Sequence, residues 1–270
     1  MAAELDIDAL KERAKRIWAL GDYSEIARLT GQAAQPLVDA CAVSAGQEAL
    51  DLAAGTGNAA IAAASEGARV VASDLTPEMV ELGRRRSQAA GLDIEWVEAD
   101  AEELPFEDAT FDCVLSAFGV MLAPRPDVAV REVFRVLRPG GTFGVTAWTP
   151  DSLIPAQGAL INRYLPSPPG VPTPSEWGDP DIVRARLADA AGSVTTDRRR
   201  AEWIGASADE FVARLAQHSG PEIAARRALP AERRERMAQE LLELARERAE
   251  GDGPVTIGFD YLLTVARKRG

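Results

Sequence analysis

The sequence predicts an α/β protein built on a doubly wound, mostly parallel, seven-stranded sheet. Three observations carry this. Strand-like and helix-like patterns alternate from Glu48 to Trp148 at the spacing of βαβ units. A glycine turn, Gly55-Thr56-Gly57, follows the first strand and opens a helix. Finally, Asp51, Asp74, Asp100 and Ser116 fall at or near the ends of successive strands, where open parallel sheets bind ligands.

Leu10, Ala14, Ile17 and Trp18 recur at helical spacing, so residues 4–20 read as an amphipathic helix, and 23–42 as a second. EALDLA is a buried strand, followed by the glycine turn and the small-residue helix AAIAAAS, which stops at Gly67. ARVVASD is the second strand. Thr76-Pro77-Glu78 starts a helix, with Thr as N-cap, Pro at the first helical position and a carboxylate near the positive helix end; Gly91 ends it. DIEWVEAD and FDCVLSAF are the third and fourth strands. A helix from Asp127 to Leu137 closes at Pro139-Gly140-Gly141, and TFGVTAW is the fifth strand. Residues 150–180, rich in proline, read as an irregular insertion. A helix at 181–190, a sixth strand (SVTTDRRRAEWIG), helices at 207–218 and 230–250 and a closing strand (PVTIGFDYLLTVARKR) complete the chain. The division is an N-terminal helical segment (1–45), a core (46–150), an insertion with a helix (151–192), and C-terminal strands and helices (193–270) that belong to the core domain.

Composition narrows the function. The net charge of −12 disfavours nucleic acid and anionic membranes as partners. No apolar run reaches the length of a membrane span, and the charged N-terminus lacks the apolar stretch of a signal peptide, so a cytoplasmic protein is expected. Two cysteines, Cys41 and Cys113, and a single histidine, His218, leave no basis for a disulfide framework or a histidine-rich metal site; no metal is expected. A homodimer is compatible with these features.

Asp51 discriminates between cofactors. A dinucleotide places its pyrophosphate at the helix N-terminus, where Asp51 would repel it. S-adenosylmethionine carries no phosphate but has a sulfonium and an ammonium group, for which an acidic strand end is an asset. Asp74 suits a ribose diol in either cofactor, whereas Asp100 suits the adenine amino group.

These motifs together resemble the class I S-adenosylmethionine-dependent methyltransferases. DLAAGTGN stands where the family has D-x-G-C-G-T-G-N; ASDLTPEMV, EADAEELPFEDATFDCV and LRPGGTFGVTAW match its later motifs. The likeness covers residues 46–148 and is greatest to the small-molecule group that includes quinone-biosynthesis C-methyltransferases and natural-product methyltransferases. It implies a Rossmann-like methyltransferase fold, an N-terminal helical lid resembling WALGDYSEIA, and S-adenosyl-L-methionine as cofactor. Ala53 departs from the family glycine and implies a tighter turn. The resemblance places Asp51, Ala53, Gly55 and Gly57 around the methionine moiety. Asp74, Leu75 and Met79 would lie at the ribose and adenine, Asp100 and Ala101 at the adenine, and Ser116 and Ala117 near the sulfonium. Trp18 and Tyr23 come from the lid, and Phe118 and Met121 wall the reaction pocket. Trp148 and Trp177 are acceptor-side candidates, although Trp177 equally suits a loop anchor. His218, in VARLAQHSGPE, is a candidate general base or simply a helix-end histidine.

The implied reaction is in-line methyl transfer to O, N or C of a small aromatic or apolar acceptor. A fold relative that binds the cofactor without transfer, as a cyclase or binding protein, is the alternative. An amino-directed nucleic-acid methyltransferase would carry an (Asp/Asn/Ser)-Pro-Pro-aromatic motif after the fourth strand, where this chain reads SAFGVM.

Overall fold

The computed structural model describes residues 5–251 and 254–270; the first residue of the expected N-terminal helix, Glu4, lies outside them. Five strands run parallel: β1 (Glu48–Leu52), β2 (Arg69–Asp74), β3 (Ile94–Glu98), β4 (Phe111–Ala117) and β5 (Leu137–Trp148). The last long strand, β8 (Val255–Lys268), inserts antiparallel between β5 and β6 (Ala191–Gly205). The order is β3-β2-β1-β4-β5-β8-β6, and a two-residue strand, β7 (Ala249–Glu250), pairs with β8. This is the expected Rossmann-like methyltransferase sheet, with one strand reversed.

Period-two alternation sends successive side chains to opposite faces. Along β4, Cys113 and Leu115 join one apolar core and Val114 the other. The first core lies under α3 (Ala34–Ala40) and α4 (Asn58–Ser65); the second lies under α6 (Pro126–Val136) and α8 (Pro180–Leu187). The helix α5 (Pro77–Ala89) packs on β2 and β3. Gly83 in α5 and Gly57 leave the room that the Trp96 ring fills; a Cβ on either would collide with it. No helix among the described residues is long and apolar enough to cross a membrane.

Several elements differ from the sequence reading. The N-terminal helix is α1 (Ile7–Trp18). The second expected helix is broken into α2 (Tyr23–Thr30), a 3-10 turn (Gly31–Ala33) and α3. Pro36 explains the break: it lies in the first turn of α3, where its missing N–H has no intrahelical partner to lose. The same reason hides α7 (Leu153–Tyr164), which occupies the supposedly irregular insertion with Pro155 in its first turn. Likewise α10 (Gly220–Ala228), with Pro221 in its first turn, is absent from the sequence reading. It follows α9 (Ala208–His218) and precedes α11 (Ala231–Arg248), both expected. Pro139-Gly140-Gly141 does not end a helix: α6 stops at Val136, and these residues bulge from β5 between Leu137, paired with Phe111, and Thr142, paired with Cys113.

Candidate functional site

The carboxyl ends of β1, β2 and β4 meet at the glycine turn. Ala54 N–H donates to the Ser73 carbonyl at 2.9 Å, which turns the chain off β1. Gly55 and Gly57 have φ of +56° and +81°, a region that favours glycine. Ala53 takes the same left-handed region, φ +52°, and Gly119 closes against it: a Cβ on Gly119 would collide with the Ala53 carbonyl and methyl. The family's missing glycine is therefore replaced by a strained alanine whose neighbour must be glycine.

Asp51 and Asp74 share this turn but are used differently. Asp74 binds the turn with both oxygens, accepting from Gly55 N–H at 2.8 Å and from Thr76 N–H at 2.9 Å. Burial raises its pKa, and the hydrogen bonds from Thr76, Gly55 and Leu75 oppose the rise. Asp51 is 1% exposed. Its Oδ2 accepts from Ala60 N–H at 2.7 Å, satisfying a free donor in the first turn of α4. Its Oδ1 is buried with no partner among the described residues. Burial pushes the Asp51 pKa up to about 7; the Ala60 bond works against this and the Asp74 charge adds to it. A buried acceptor left open beside a glycine cradle fits an ammonium-bearing ligand better than an anion.

Residues of the N-terminal helical segment cover this turn. The Tyr23 ring covers Gly55, where a Cβ would stand 3.2 Å from it, and Trp18 meets Tyr23 edge to face at 5.7 Å. Burial and the Asp74 charge push the Tyr23 hydroxyl up to about 12, against a hydrogen bond with Thr30. Asn58 ties α2 to the turn, donating to the Ala27 carbonyl at 2.9 Å and accepting from Arg86 at 2.6 Å. Leu75, Ala99 and Asp100 line a cavity of about 420 Å³ with Lys11 and Lys15 of α1. Met79 is buried in α5, and Ala101, beside Asp100, is half-buried. Sequence reasoning missed Lys11, Arg86 and Glu102. Asn58 alone carried a signal, as the last letter of GTGN.

On the β4 side, Phe118 takes φ +61° and stacks on Trp148 with ring centres 3.9 Å apart and planes 16° apart. Tyr261 of β8 meets the Phe118 ring edge-on at 5.6 Å, and half-buried Met121 packs nearby against both cores. Ser116 is not a free contact at the strand end. Its buried hydroxyl donates to the Leu52 carbonyl at 2.7 Å and accepts from Val120 N–H at 2.9 Å, bracing β4 to β1. Ala117 is the half-buried residue there. Trp177 is 2% exposed, packs on Phe143 and lies under Arg186 in the apolar cluster opposite that of Phe118 and Trp148, which are themselves 5% and 4% exposed. His218 ends α9 with its carbonyl against Gly21, and its Nδ1 is buried without a partner among the described residues.

Residues 50–145 match the family described as a methyltransferase domain. An uncharacterized protein of Mycobacterium tuberculosis is 39% identical over 266 residues, covering 94% of this chain and 93% of its own length. The demethylmenaquinone methyltransferase of Thermus thermophilus is 34% identical over 179 residues, 58% of this chain and 79% of that protein.

This chain belongs to the class I S-adenosylmethionine-dependent methyltransferases.

The solved YcgJ protein of Bacillus subtilis shares the methyltransferase's fold, with a TM-score of 0.59 and 20% identity over 88% of this chain and 99% of that one. The methyltransferase's cofactor is S-adenosylmethionine. Its residues fit that group: the open Asp51 Oδ1, the glycine cradle and the cavity beside Leu75 and Asp100 lie along one line of strand ends.

Proposed function

We propose that this methyltransferase acts on a planar, aromatic or otherwise apolar small molecule held between the glycine turn and the aromatic residues after β4. The observation that carries this is Phe118. A bulky residue at φ +61° is strained by about 1–3 kcal/mol. The strain is offset where the ring stacks on Trp148, a contact worth about 0.5–1.5 kcal/mol beyond its burial. The result is a rigid, buried aromatic pair near Ala53 and the turn, which would back the acceptor site.

Bound in the cleft, S-adenosylmethionine supplies a methyl carbon activated by its sulfonium. The chain's own residues supply position and dryness. Asp51 Oδ1 would accept from the ammonium. Asp74 would accept from the ribose hydroxyls, because each of its oxygens keeps a lone pair beyond its backbone bond. Asp100 would take the adenine amino group, and Trp18 and Tyr23 would exclude water from above. An acceptor that ionises readily needs no base; for one that arrives protonated, the open Nδ1 of His218 is the candidate.

Two acceptor panels test this: planar phenols, quinols and aromatic acids against small polar amines and amino acids, with S-adenosylhomocysteine release read by mass spectrometry. Turnover is expected in the first panel. Turnover confined to the second would overturn the reading.

A further inference from the structure

The lid helix α1 is held at its two ends by different means. At its C-terminal end, backbone meets backbone: a Cβ on Gly220 would collide with the Ile17 carbonyl, and one on Gly21 would stand 2.6 Å from the His218 carbonyl. Towards the N-terminus it is held by charge, and none of its residues is buried. Lys11 Nζ lies 2.5 Å from Asp100 Oδ2 and 2.5 Å from Glu102 Oε2, and Lys15 Nζ lies 3.6 Å from Glu98 Oε1. Lys11, Lys15, Glu98 and Asp100 all border the cavity beside Leu75 and Ala99.

The two carboxylates on Lys11 are not equivalent. The Glu102 side chain is fully buried and already committed: Oε1 accepts from Arg125 N–H at 2.6 Å and Oε2 from Arg125 Nε at 2.8 Å. The Asp100 side chain is 25% exposed, and its Oδ1 accepts from Glu102 N–H, which leaves Oδ2 bound to Lys11 alone. Burial works against the lysine charge, but the bonds to Asp100 and Glu102 outweigh it and raise the Lys11 pKa.

We propose that Lys11 is a positioning residue of the cofactor site: Glu102 anchors its ammonium, Asp100 exchanges it for the adenine amino group, and the lid stays latched over the bound cofactor. The exchange half rests on the placement of adenosine beside Leu75 and Asp100; the anchor half does not. One ammonium thus serves two conditions. In the free protein it bridges both carboxylates, with Arg125 supplying the second positive charge at Glu102, and in the complex it holds α1 down through Glu102 while Asp100 turns to the ligand.

The test uses the full chain as wild type, Lys11→Met and Lys11→Arg. Amide hydrogen exchange is measured without cofactor, and S-adenosylhomocysteine affinity and release are measured by calorimetry and stopped flow. In Lys11→Met, amides of residues 7–14 are expected to exchange about tenfold faster while those of β4 are unchanged, and S-adenosylhomocysteine is expected to bind about tenfold more weakly through faster release. Lys11→Arg restores most of both. Raising salt from about 50 to about 500 mM speeds release from the wild type but not from Lys11→Met. A Lys11→Met protein with unchanged exchange in α1 overturns the latch, and one that binds the ligand more tightly shows the lysine to be a competitor for Asp100. If no variant binds S-adenosylhomocysteine, the cofactor placement fails together with the exchange half, and the exchange of α1 still decides the anchor.

Discussion

At the β3 end of the cleft, Lys11, Asp100, Glu102 and Arg125 form one chain of charge-assisted contacts; at the β4 end, Phe118, Trp148 and Tyr261 meet ring to ring. Both ends belong to the same row of strand termini, separated by β2, β1 and the glycine turn. At the partly exposed Asp100, water or a ligand can replace a charged partner at little net cost, whereas the buried Glu102 keeps its partners. Stacked rings do not exchange; they set a shape. On the placement proposed above, the ribose and adenine side of the cleft would be opened and re-formed at Asp100, and the methyl-transfer side would stay fixed. Asp51 lies between the two regimes. It is as buried as the rings, but it is a carboxyl group with one oxygen unused.

The largest effect that would break this contrast is at Asp51. Asp51→Asn retains an acceptor for Ala60 N–H but removes the charge. At pH 8, S-adenosylhomocysteine affinity by calorimetry is expected to fall about 100-fold. Stability of the free protein in urea is expected to rise by about 1–3 kcal/mol, because an uncompensated buried carboxylate is lost. The pH dependence follows from the raised pKa. The folded protein keeps the Asp51 proton up to about pH 7, while the unfolded chain releases it near 3.8. The stability that this protonation contributes is complete below the unfolded value and is lost as pH rises through about 7. A cationic ligand needs the ionised form, so affinity in the wild type should rise about tenfold between roughly pH 6 and 8 and then flatten. In Asp51→Asn it should be flat throughout. A pH-independent wild type would place the ammonium elsewhere.

A smaller effect is expected at the aromatic end. Phe118→Leu removes the stacking surface while keeping an apolar side chain. For a planar acceptor, kcat/KM should fall about tenfold, with S-adenosylhomocysteine affinity within about twofold of wild type. Equal losses in both would mean that the wall serves the cofactor rather than the acceptor. The smallest effect sharpens the junction between the two ends. Ala53→Gly relieves a left-handed alanine and should stabilise the fold by about 0.5–1 kcal/mol in urea titration. Destabilisation would mean that the alanine methyl, packed beside Gly119, contributes more than its strain costs.

The regular elements were legible wherever the pattern was local. EALDL, RVVASD and FDCVLSA are runs of buried residues bounded by turns, and each is a strand. Prolines misled the reading at Pro36, Pro155 and Pro221, because a first-turn proline and a helix-breaking proline look alike until the helix start is known. The glycine turn and its acidic neighbours were legible for a related reason: φ preferences and strand ends are properties of a few consecutive residues.

By itself the sequence determined the alternation, the turn, the strand-end carboxylates and the family they resemble. Only the tertiary structure decided which of those polar groups remain available. Ser116 is spent on a carbonyl 64 residues away, Asp100 on a lysine of α1, and Trp177 on the opposite core, whereas Asp51 keeps one oxygen open. The reason is physical: spacing encodes which face a side chain takes, but hydrogen-bond satisfaction and burial depend on partners that only the folded chain brings together.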